Sequence, residues 1–343
     1  LPLSQVQPRI HRSLQLALFA ASITWVIAAT TLASRAARGL AVRFQLSDEY
    51  LLLEALFLVF LLVVGFVVLQ GIAGRDSPLR TTIGLPSRPT ARTEWATGAA
   101  IGWAIILLGV LAMGIAGALH VRFWFAPRSL GLALLNLAAI ALLSLASEIA
   151  FRGYPFHRLI DAIGPGWATA VMALLFGFAG SIGQDSTYLS TSIAMLFGLL
   201  LCLAWLRTHG LWLGWGLHFA WIASLGVLFG LPVAGFDNLS SAVQTRAIGA
   251  RWLTGGDLGP EGALLTLPLL IAAIVVLVRL TRDWAWDYTR KPLIPAGYPM
   301  DVPPPAAHAA METAIETRVA RAPALVQILP TTPQSRSAEP NGQ

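Results

Sequence analysis

A helix that crosses a bilayer needs roughly 20 consecutive, mostly apolar residues. Eight stretches of this 343-residue chain approach that requirement. They are Leu14–Ser34, Tyr50–Ala73, Trp95–Leu119, Leu130–Glu148, Gly166–Ile182, Leu189–Leu206, Leu211–Leu231 and Gly262–Leu280. Within a bilayer only helices and closed barrels satisfy every backbone N–H and C=O. Runs of this length and apolarity specify helices. Only 12% of the residues are charged, against about a quarter in a soluble domain. The expected fold class is therefore all-α, a polytopic membrane helix bundle with about eight transmembrane helices.

The connections divide the chain. Residues 1–77 hold the first two spans, with Arg35, Arg38 and Arg43 marking an interfacial connection between them. Gly74–Glu94 is polar and carries Pro78, Pro86 and Pro89, the pattern of a surface loop. Residues 78–283 form the core, with Val233–Glu261 as a mixed loop. Gly164-Pro165-Gly166 starts the fifth span, and the fourth is expected to run on towards Arg158. Residues 284–343 are rich in Pro and Ala and read as a disordered C-terminal tail.

The net charge of +6 is almost wholly arginine, since Lys291 is the only lysine. These arginines lie between apolar runs, where anionic headgroups and topology account for them. Membrane lipids, not nucleic acid, are the expected partners. With eight spans both termini lie on one side, and twelve basic residues there face seven on the other (Arg35, Arg38, Arg43, Arg122, Arg128, Arg246 and Arg251). That excess predicts cytoplasmic termini in a cytoplasmic (inner) membrane of bacterial type.

Charge inside the spans is scarce. Glu54 stands near a span end. Glu148 is deep, with Arg152 one helical turn later on the same face. A charged group at the bilayer centre costs about 2.5–3.5 kcal/mol on insertion scales, so it is paired, neutralised or used. An acid four residues before a base is the favourable order for a helix ion pair. A structural pair and a functional site remain equal readings of these two residues. His218 is the one histidine deep in an apolar run, within Gly214-Trp215-Gly216-Leu217-His218. An imidazole there serves as a core hydrogen-bonding group or as a base or ligand. Cys202 stands alone, and no His-Glu-x-x-His is present, so neither a metal site nor another cofactor is expected.

Three segments resemble the CPBP family of intramembrane proteases, which includes the CAAX prenyl endopeptidases and bacteriocin-processing relatives. Glu148-Ile149-Ala150-Phe151-Arg152-Gly153-Tyr154 is similar to the family's Glu-Glu-x-x-x-Arg motif and its Phe-Arg-Gly-Tyr extension. Leu175–Gly180 aligns with its Phe-x-x-x-His segment, and Trp205–Trp212 with Gly216–Trp221 aligns with the last motif. The Gly259-Pro260-Glu261-Gly262 turn also fits. The likeness covers about Pro78 to Leu280.

The resemblance implies an intramembrane endopeptidase acting through Glu148, Arg152 and His218. It also exposes departures. The first motif glutamate, taken to activate water, falls on Ser147; the second-motif histidine falls on Gly180; the last-motif asparagine falls on Ile222. Hydrolysis needs an activated water and a donor for the developing oxyanion, and these are the groups replaced. Ser147 as nucleophile with His218 as base is another arrangement the residue types permit. The expectation is a degraded protease site that binds a peptide, lipid or partner subunit without cutting it. The alternative is an active endopeptidase cleaving a membrane-associated, hydrophobic or prenylated peptide. A polar string, Ser181, Gln184, Asp185 and Ser186, follows Gly180 and reads as a short interfacial loop.

Overall fold

The computed structural model describes residues 12–74, 78–182, 186–236, 239, 242–289, 313, 314 and 317. In chain order its elements are α1 (Arg12–Phe44), α2 (Tyr50–Ile72), α3 (Leu79–Thr82), α4 (Ala91–Ile115), β1 (Leu119–Phe123), α5 (Pro127–Arg152), α6 (Tyr154–Ile163), α7 (Pro165–Ser181), α8 (Tyr188–Thr208) and α9 (Trp212–Ile222). A π-helical turn (Ala223–Leu228), β2 (Val243–Ala247), α10 (Arg251–Thr254), a 3-10 segment (Gly256–Gly262), α11 (Thr266–Leu280) and α12 (Arg282–Thr289) follow. Six helical segments are long and apolar enough to cross a membrane, and Pro165–Ser181 and Trp212–Leu228 are shorter apolar helices. The chain is thus a mostly helical, integral membrane protein, and all eight apolar runs are helical.

Several boundaries differ from the sequence reading. Arg35, Arg38 and Arg43 lie within α1, which runs unbroken for 33 residues, because no Gly-Pro pair or cap stops it. The fourth span runs on past Arg158 as expected, from Pro127 to Ile163, but breaks at Gly153 into α5 and α6. Gly153 leaves the helical region (φ −76°, ψ −125°), and Pro155 then sits in the first turn of α6. An all-α reading also missed the two-stranded antiparallel sheet, in which Val121 faces Thr245 and Phe123 faces Val243. Five-residue strands are too short to stand out among longer apolar runs. Trp284–Thr289, assigned to the tail, belong to α12.

Residues 10–292 form one compact unit. A second unit comprises residues 1–9 and 293–343. Its described residues Thr313, Ala314 and Thr317 are helical, and the Thr317 hydroxyl donates to the Thr313 carbonyl at 2.6 Å. The rest of the expected tail lies outside the described residues, as do Gln184 and Asp185.

Two buried clusters build the bundle. One joins α4, α8, α9 and α11 through Ile101, Leu200, Leu213, Leu217 and Leu270. The other joins α2, α5, α6, α7 and α8 through Phe66, Ile149, Phe156, Met172 and Trp205. Lipid tails are as apolar as leucine, so helix association in membranes rests on close packing and interhelical hydrogen bonds. The α4–α9 contact shows both requirements. A Cβ on Gly98 would collide with the Leu213 carbonyl, and one on Gly216 with the Trp95 carbonyl. The Trp215 indole donates to the Ala141 carbonyl at 2.8 Å, tying α9 to α5. Arg207 on α8 donates to the Thr281 hydroxyl and the Val278 carbonyl at 3.0 and 2.9 Å, fixing α8 beside the end of α11.

Candidate functional site

Glu148 and Arg152 lie in the last turns of α5, and each is at most 1% exposed. Both Arg152 Nη1, at 3.2 Å, and His218 Nδ1, at 2.9 Å, meet the same oxygen, Glu148 Oε1. A carboxylate accepts, so Nδ1 carries the imidazole proton, and Nε2 is the ring nitrogen left for a ligand. Arg152 Nη2 donates to the Gly198 carbonyl at 3.1 Å, and its guanidinium lies 4.4 Å from the centre of the Phe176 ring. The other Glu148 oxygen, Oε2, is buried without a hydrogen-bond partner. It faces Gly214, where a Cβ would stand 2.9 Å away. The three retained residues therefore form one neutralising cluster between α5, α8 and α9. In a low-dielectric interior such mutual pairing offsets much of the cost of burying each charge.

Beside this cluster is a cavity of about 450 Å³. Its walls include Ser147 and Phe151 from α5, Phe176 and Gly180 from α7, Phe197 from α8, and His218, Trp221 and Ile222 from α9. Successive residues on an α-helix are turned by about 100°. That rotation points Ser147 into the cavity and Glu148 towards α9, with only His218 belonging to both. All three departure positions, Ser147, Gly180 and Ile222, thus line one space, while Glu148 and Arg152 stand behind its wall. A Cβ on Gly180 would meet no atom within 4 Å, so its place in the wall is open. His218, the base candidate for a Ser147 nucleophile, bonds Glu148 through Nδ1, so Nε2 is the nitrogen that would have to meet the serine. Of the polar string, Ser181 and Ser186 reach the cavity. The Ser181 hydroxyl is engaged with the Gly177 carbonyl and Thr191. Among the described residues no group of three or more His, Cys, Asp or Glu side chains is arranged to hold a metal ion.

Two acids escaped notice in the sequence, one partly buried and one fully buried. Glu261, in the 3-10 segment, lines the cavity. Its Oε1 accepts from the Trp221 indole at 2.9 Å, and its Oε2 accepts from the Ala234 amide at 2.5 Å. Its signal was available: an acid in a Gly-Pro-Glu-Gly turn immediately before an apolar run. Glu94, read as part of a surface loop, is fully buried in the first turn of α4. It pairs with Arg88 and accepts from the Tyr288 hydroxyl at 2.6 Å. Arg88 also donates to the Thr208 carbonyl at 2.6 Å. This second cluster fastens α12 and the loop before α4 to the end of α8, away from the cavity. Burial and the bond to Glu94 hold the Tyr288 hydroxyl above its ordinary value of 10.0. Next to Thr208, burial and then the Arg88 charge hold the His209 imidazole below 6.5.

Residues 127–224 match the family of Rce1-like type II CAAX prenyl endopeptidases. The chain carries a CPBP family domain over those residues. No curated protein and no solved structure gives a significant match. The CPBP domain spans α5 to the π-helical turn after α9. It supplies most of the cavity wall; Thr30, Val233, Ala234, Phe236, Leu258 and Glu261 come from outside it.

Proposed function

We propose that this CPBP-domain protein holds a hydrophobic peptide or lipid in its intramembrane cavity and releases it uncleaved. The observation that carries the reading is the composition of the wall. Ser147, Gly180 and Ile222 occupy one cavity with His218, and none of the three is an acid, a base or a strong oxyanion donor. Glu148, the acid retained on α5, is committed to Arg152 and His218. Activating a water requires a base within hydrogen-bond reach, and where the family resemblance puts its water-activating glutamate α5 presents a hydroxyl. The arginine excess supports cytoplasmic termini in the same reading.

The test reconstitutes the full chain and supplies a farnesylated peptide, following binding by anisotropy and chain cleavage by mass spectrometry. Binding without new fragments is expected. A triple variant, Ser147→Glu with Gly180→His and Ile222→Asn, returns an acid, a base and an amide to the wall. It is expected to gain cleavage, because the Gly180 position has open space before it. Cleavage by the unaltered chain overturns the proposal.

One observation favours a second reading as an active endopeptidase: Glu261 places a carboxylate on the same cavity as His218. In that case the unaltered chain cuts the peptide, and Glu261→Gln and His218→Ala each abolish the cut.

A further inference from the structure

Glu261, partly buried, differs from the buried acids Glu94 and Glu148 in what surrounds it. Among the described residues no arginine, lysine or histidine forms an ion pair with it, whereas Glu94 has Arg88 and Glu148 has Arg152 and His218. Its two hydrogen bonds come from neutral donors, the Trp221 indole and the Ala234 amide. A carboxylate offers about four lone-pair sites, so about two remain. The carboxylate borders a cavity whose walls include the aromatic rings of Trp221, Phe197 and Phe236. Among the described lining residues the other ionisable one, His218, is held by Glu148 and presents no negative charge. An acid in an apolar bundle is stabilised by a cation close by, and here the fold supplies an opening in place of one.

We propose that the cavity selects a ligand with a protonated amine at its head, seated against Glu261, and an apolar chain along the aromatic wall. The inference rests on the reading of this cavity as a binding site and names the chemical class it takes. An ammonium fills the remaining lone-pair sites with charge-assisted hydrogen bonds. A carboxylate or phosphate head is repelled by the same acid. The volume of about 450 Å³ falls within the range of about 300–1,000 Å³ usual for small-molecule sites.

The test measures binding of radiolabelled dodecylamine and dodecanol to the full chain in nanodiscs, with empty nanodiscs subtracting bilayer uptake. The two probes share a chain and differ only in the head. The unaltered protein is expected to prefer the amine by about tenfold to a hundredfold, the scale of a hydrogen bond to a charged group. Glu261→Gln, which keeps the shape and removes the charge, is expected to erase that preference while leaving dodecanol binding in place. A second arm uses an oligoleucine peptide with a free or an acetylated amino terminus. Discrimination in the first arm alone identifies a lipid-like amine; in the second alone, a peptide amino terminus. Equal binding of charged and neutral heads in both arms overturns the proposal, as does a preference that survives Glu261→Gln. The comparison of heads on the unaltered chain decides the matter even if the variant misfolds. If neither probe nor peptide binds at all, the binding role of the cavity itself falls, and this inference with it.

Discussion

Glu148 and Glu261 are acids on opposite sides of one cavity wall, the first buried and the second partly exposed, and their surroundings differ in kind. Behind the wall, Glu148 shares a single oxygen between a guanidinium and an imidazole, and Gly214 leaves no room beside its other oxygen. On the cavity side, Glu261 meets two neutral donors and open space. The difference separates two uses of a buried charge. A carboxylate with its countercharges built in joins helices α5 and α9 and offers little to a ligand. One held by neutral donors is kept in place and leaves lone-pair sites open to whatever enters. The motif that marks the family belongs to the first kind.

Truncating the two acids should separate these uses most sharply. Glu148→Ala leaves Arg152 and His218 buried without their acid, and removing one partner of such a pair typically costs about 3–5 kcal/mol. The expected result is a protein that largely fails to elute as a single species after detergent extraction. A stable, monodisperse Glu148→Ala would erase the contrast. Next in size is Gly214→Ala, which places a methyl group against Glu148 Oε2 and is expected to destabilise by about 1–3 kcal/mol. The same change at Gly180, where a Cβ meets nothing within 4 Å, is expected to be neutral or to stabilise by about 0.5 kcal/mol. Thermal melts of the purified variants read both, and equal losses would show that the two sides are alike in packing. Glu261→Ala leaves the Trp221 and Ala234 donors beside a cavity that admits water, so the expected loss is only about 1–2 kcal/mol.

The smallest effect lies outside the membrane and serves as a control on the others. His209 is held below 6.5 in the folded protein by burial and Arg88, so between its folded value and 6.5 the unfolded chain binds more protons. Stability from this group is present above pH 6.5 and declines as pH falls through and below that value. His209→Asn should flatten the decline modestly, since asparagine tolerates the left-handed backbone at this position (φ 48°). Melting temperature measured from pH 8 to 5 checks it, and an unchanged pH slope in the variant would remove His209 from the account.

Much of the architecture was legible because a membrane span is a local property. Each run of apolar residues carries its own evidence, and all eight proved helical. The 100° turn between neighbours already set Ser147 apart from Glu148 before any contact was known. What stayed hidden was non-local. The strands at Leu119–Phe123 and Val243–Ala247 pair across the whole of the CPBP domain, and nothing within either strand announces the other. Glu94 looked solvated because it follows a proline-rich loop, yet Arg88 and Tyr288 enclose it.

The residues taken alone determined a helical membrane protein, the charged Glu148–Arg152 turn, and the absence of an acid, a histidine and an amide at positions 147, 180 and 222. The first two depend on composition and on the fixed periodicity of a helix, and the third is what the resemblance to the CPBP family implies. Only the tertiary structure decided that these three positions share one cavity. It alone placed His218 in contact with both that cavity and Glu148, and set Glu261 on the cavity without an ion-pair partner among the described residues. The reason is that a cavity is bounded by segments far apart in the chain, and its walls exist only once the helices have packed.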